Sequence, residues 1–151
     1  MYPSVKLQCE PHIHCIVSRF IKHNNNEILN TKSIVGGLLK ARLEPFNADW
    51  DYSRLPKSFT TTFSIFVKEY MLDKTGCFLS PENMIWYNNT IDDLFKFSLY
   101  HLASGYRAAG DKEKVAIDKA IKWHGLDEET YSYERAHMVI YRFDKNYSVL
   151  L

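Results

Sequence analysis

The stretch CEPHIHCIVS, residues 9–18, decides how the N-terminal part of this chain is read. Around it the odd positions are Val5, Leu7, Cys9, Pro11, Ile13, Cys15 and Val17, and the even ones begin Lys6, Gln8, Glu10, His12 and His14. Successive side chains leave a strand on opposite faces, so alternation of period two is the pattern of a half-buried β-strand. This reading predicts a strand over 5–17 that presents Glu10, His12 and His14 on one face. Pro11 has no N–H for a ladder bond, so such a strand lies at a sheet edge, carries a bulge, or breaks in two. Apolar character resumes at Phe20 and Ile21, and His23-Asn24-Asn25-Asn26 reads as a turn, because Asn tolerates left-handed backbone.

Further along, the apolar period becomes helical. Ile34, Val35, Leu38 and Leu39 predict a helix within 31–43, although Gly36 and Gly37 each cost up to about 1 kcal/mol there relative to alanine. Phe59, Phe63, Phe66, Val67, Tyr70 and Met71 follow i, i+4, i+7, i+8, i+11, i+12 and predict an amphipathic helix that Gly76 closes. A long helix carries Ile91, Leu94, Phe95, Leu99, Leu102 and Tyr106 as far as Gly110. Asp111 then caps another, in which Ile117, Ala120, Ile121 and His124 share a face ended by Gly125. Residues 128–143 fit both periods. Helix formers and the acids Asp127, Glu128 and Glu129 at its start favour helix. The sum is one α+β domain over 1–151, mainly helical, with a small antiparallel sheet at the N-terminus.

Nineteen basic against eighteen acidic residues leave a net charge of +1, so no long-range field draws this chain to phosphate backbones or anionic membranes. The N-terminus lacks the basic stretch and unbroken apolar core of a signal peptide, and no apolar run approaches the length of a membrane span. The expectation is a soluble cytoplasmic protein. Its three cysteines, Cys9, Cys15 and Cys77, then serve as reduced, packed thiols.

On a strand, His12 and His14 stand roughly 7 Å apart, close enough to converge on one ion, with a third ligand to come from Glu10, His23, His101, His124 or His137 where the fold brings one near. The plainer reading, which the sequence favours, is a pair on a half-exposed sheet face hydrogen-bonded to Glu10 or water. His12-Ile13-His14-Cys15-Ile16-Val17 also resembles the His-hydrophobic-His motif of the HUH single-strand endonucleases, and Tyr70 with Lys74 one helical turn on resembles their tyrosine-lysine motif. That resemblance implies a divalent ion such as Mg²⁺ or Mn²⁺ on Glu10, His12 and His14, with Tyr70 as nucleophile, Lys74 assisting at phosphate, and single-stranded nucleic acid as substrate. The family's first motif is absent. Pro11 sits badly in the central strand the family uses, and three residues separate Tyr70 from Lys74 where the viral members have two.

The second functional expectation rests on aromatic residues, which make up 15% of the chain and gather in two stretches expected as loops. Residues 44–56 hold Phe46, Trp50, Tyr52 and Arg54, and residues 83–89 hold Trp86 and Tyr87. Trp, Tyr and Arg dominate protein-protein hot spots because they remove much area from water and keep a polar handle. With no Gly-x-Ser-x-Gly elbow or phosphate loop present, the leading expectation is a non-enzymatic protein binder of inhibitor or immunity type that needs no cofactor. It binds its protein partner through Trp50, Tyr52, Arg54, Trp86 and Tyr87.

Overall fold

A computed structural model describes residues 2–23 and 26–150, apart from the side chains of residues 22, 23, 26, 27 and 148–150. The chain is α+β and mainly helical, with a small sheet near its N-terminus. In order it forms β1 (Ser4–Cys9), α1 (Pro11–Phe20), β2 (Lys22–His23), β3 (Asn26–Leu29), α2 (Ile34–Lys40), a 3₁₀ turn (Tyr52–Arg54), β4 (Thr61–Phe66), α3 (Glu69–Lys74), α4 (Pro81–Ala108), α5 (Glu113–Trp123) and α6 (Tyr133–Leu150). Two compact units divide it, Met1–Ile91 and Asp92–Leu151. No helix among the described residues is long and apolar enough to cross a membrane.

In the first unit the strands stand in the order β1-β4-β3-β2. β1 pairs antiparallel with β4, with Val5 opposite Ile65 and Leu7 opposite Phe63, whereas β3 runs parallel to β4. The sheet is therefore mixed rather than purely antiparallel. Val5, Leu7, Phe63 and Ile65 are buried on the face that meets α1, and each large aliphatic side chain so enclosed contributes roughly 1.5–3 kcal/mol.

Three expectations are corrected here. The predicted strand over 5–17 stops at Cys9, and Pro11 opens α1. A first-turn proline loses no hydrogen bond, since that N–H has no partner inside a helix in any case. Ile13, Ile16 and Val17, at i, i+3, i+4, are the buried stripe of α1, and their odd-numbered members had also satisfied the alternation. The predicted helix from Phe59 is instead β4 followed by the short α3. Phe59, Phe63, Ile65 and Val67 are buried at every second or fourth position, and the run Thr60-Thr61-Thr62 favours a strand. The expected aromatic loop over 83–89 is the start of α4, opened by Pro81 and capped by Ser80, whose hydroxyl accepts the Asn83 N–H at 3.1 Å.

The second unit follows its pattern closely. Phe95 and Leu99 on α4, Ile117, Ala120 and Ile121 on α5, and Ala136, Val139 and Ile140 on α6 are buried. Gly110 ends α4 at φ 106° and Gly125 ends the last turn of α5 at φ 75°. At both, the glycine N–H and the next N–H reach back to carbonyls three and five residues earlier, which closes the orphan carbonyls of the helix end. Asp111 does not cap α5. Its carboxylate accepts from Lys119 Nζ at 2.7 Å.

Candidate functional site

The residues between α2 and β4 form no long element, and one backbone pairing fixes them. Glu44 and Phe78 exchange both N–H···O bonds, at 2.9 and 3.1 Å, and so hold the start of this segment against the chain that leaves α3. Gly76 permits the approach, because at φ 75° a Cβ there would fall on the Glu44 backbone. The Asn83 amide on α4 adds bonds to Arg42 O at 3.1 Å and Glu44 Oε1 at 2.8 Å.

Aromatic rings pack along this frame. Phe46 lies 5.3 Å from Phe78 and edge-on to Trp50 at 6.2 Å, and Trp50 is edge-on to Tyr52 at 6.5 Å. The Tyr52 hydroxyl donates to Leu79 O at 2.8 Å, and burial pushes its phenol pKa up. Asp51 starts the 3₁₀ turn by accepting the Ser53 N–H at 3.0 Å. The Ser53 hydroxyl and that N–H, with Arg54 adding a little, hold its carboxyl below the usual range. Arg54 reaches toward Asp51 and Glu82, each at 3.9 Å.

Phe46, Tyr52 and Phe78, with Leu79 and Met84, form the apolar wall of a groove of about 500 Å³. Its polar wall is Ser4, Lys6 and Gln8 of β1 with Thr62 of β4, the sheet face opposite the packed one. Phe46 is 62% exposed, and Tyr52 and Phe78 are 40% exposed each. A groove of this kind takes up apolar side chains of a partner along one wall and hydrogen-bonds its polar groups along the other.

Of the residues predicted for partner binding, Trp50, Tyr52 and Arg54 are brought together here. Trp86 is on α4 with the Arg42 guanidinium 3.7 Å above its ring, and that cation-π pair occupies one face of the indole. Tyr87 is not on a surface. It is fully buried, donating its hydroxyl to Val35 O at 2.8 Å, because one step along a helix turns a side chain by about 100°. Phe78, Lys6 and Gln8 were not predicted. Reading 61–66 as a strand would have pointed to the two β1 residues through the shared face.

The histidines are separated by the same rotation. His12 is buried at 1% exposure, with Nδ1 3.9 Å from Glu10 Oε2, and His14 lies edge-on to Phe63 at 5.6 Å. Glu10 is held by Asn88 of α4, which accepts the Glu10 N–H and donates to Oε1, both at 3.0 Å. Among the described residues no three His, Cys, Asp or Glu side chains are placed to share a metal ion. Tyr70 is half-exposed on α3 with Lys74 Nζ 6.0 Å from its ring centroid. Comparison with family models, curated proteins and solved structures returns no match to this chain.

Proposed function

We propose that this chain is a non-enzymatic protein-binding protein, of inhibitor or immunity type, that covers a partner's surface with the groove between the Phe46-Trp50-Tyr52-Phe78 rings and the open sheet face. The observation that carries this reading is the exposure of Phe46, Tyr52 and Phe78 in one contiguous strip pinned by backbone bonds. Contiguous exposed apolar surface rimmed by polar groups marks interaction sites, and rings already fixed in place lose little entropy on binding. Near-neutral net charge fits a partner recognised by shape more than by long-range attraction.

The test is site-specific photo-crosslinking in cell extract, with the crosslinker placed at Phe46 and, as control, at Lys112 on the second unit. The expected result is a protein captured from Phe46 and not from Lys112, and lost in a Tyr52→Ser/Phe78→Ser variant whose melting temperature stays within a few degrees of the parent. Identical captures from both positions would overturn the reading.

A further inference from the structure

β3 and β4 are parallel, with Ile28 opposite Phe66, so their C-terminal ends lie at the same edge of the sheet. From there the chain turns through residues 30–33 into α2 and through residues 67–68 into α3. The crevice outside the carboxyl ends of parallel strands is where outgoing loops diverge and leave room for a ligand. Here it is a cavity of about 310 Å³, at the small end of the range for small-molecule sites.

Its lining is sorted by charge. Lys32 and Thr31 come from the first loop, Lys68 from the second connection and Tyr70 from the first turn of α3, and Ile28 and Met71 give it an apolar floor. No carboxylate among the described residues lines it. The acids of α3, Glu69 and Asp73, line a different cavity with Tyr2 and Pro3. Two ammoniums with the two hydroxyls of Thr31 and Tyr70 complement a group of more than one negative charge and several acceptor oxygens. The apolar floor leaves space for an organic body beyond that group.

We propose that this crevice binds a small phosphorylated molecule, with Lys32, Lys68 and the Tyr70 hydroxyl on the phosphate and the organic part against Ile28 and Met71. A net charge of +1 provides no extended field for a polyanion, which favours a free ester over a nucleic-acid strand. The site shares no lining residue with the aromatic groove, so each stands or falls alone.

Titration of the isotope-labelled protein with phenyl phosphate, adenosine monophosphate, adenosine and a single-stranded oligonucleotide, followed by amide NMR, tests it. The expected result is saturable shifts at residues 28–32 and 68–71 with both esters and none with adenosine. Lys32→Gln/Lys68→Gln should weaken binding at least about tenfold and Tyr70→Phe severalfold, while Lys112→Gln/Lys122→Gln, which removes equal charge elsewhere, leaves it unchanged. Equal weakening by the control pair, no saturable shift with either ester, or binding at these residues of a single-stranded oligonucleotide alone would overturn it.

Discussion

Asn88 is fully buried, and its amide is used in both directions by Glu10. The pair satisfies the N–H at the start of α1 and one oxygen of a carboxylate that has little water around it. Asn88→Ala removes both bonds at once and is expected to cost about 1–3 kcal/mol in urea denaturation, the penalty for taking two hydrogen bonds from part-buried polar groups. His14→Ala, which loses mainly an edge contact to the Phe63 ring, should cost less. Gly36 reverses an ordinary rule in the same way. Alanine in a helix interior is normally about 1 kcal/mol better than glycine, but at Gly36 the new methyl would fall on the Asn30 carbonyl oxygen. Gly36→Ala is therefore expected to lower the denaturation midpoint, whereas Gly105→Ala, in open space on α4, should raise it.

At the level of elements, legibility followed locality. The second unit was readable because its signals lie within a few residues of one another: Gly110 and Gly125 stop helices, and Ile117, Ala120, Ile121 and His124 share a buried face. The first unit was misread where one set of apolar positions satisfied two periods. Ile13 and Val17 fit alternation and a helical stripe alike, and only Pro11, favourable at a first helical turn and unfavourable in a ladder, separates the two. Phe59 and Phe63 are four apart, a multiple of two as well as one helical turn. The β-branched run beside them decides for the strand, and the exposed Phe66 and Tyr70 do not belong to a buried stripe. Ser80-Pro81 was an overlooked start signal of the same local kind. Removing its cap with Ser80→Ala should cost about 1 kcal/mol, measurable as a lower midpoint without loss of cooperativity.

For the whole molecule, the candidate site was half legible. Trp50, Tyr52 and Arg54 announce themselves by residue type, but Phe78 joins them only through the Glu44–Phe78 pairing, whose register no local pattern encodes. Lys6 and Gln8 join only because β1 and β4 turn one face to a packed interior and leave the other open. The packed side makes its own demand on pH. Burial, with Glu10 and Cys15 nearby adding to it, pushes the Cys9 thiol from 9.0 up to about 12, and burial pushes the neighbouring Tyr87 phenol upward too. Both groups are neutral in the folded chain and ionise more readily once unfolded. Between pH 9 and 12 the unfolded state therefore binds fewer protons than the folded one, and stability must fall as pH rises. Cys9 alone sets a limiting slope of about 1.4 kcal/mol per pH unit across that window, with none of the loss below it. Denaturation midpoints at pH 7, 9 and 10.5 should hold level between the first two and drop at the third. Cys9→Ala, less stable at pH 7, should show a shallower alkaline decline, and an unchanged decline would place its cause elsewhere in the chain.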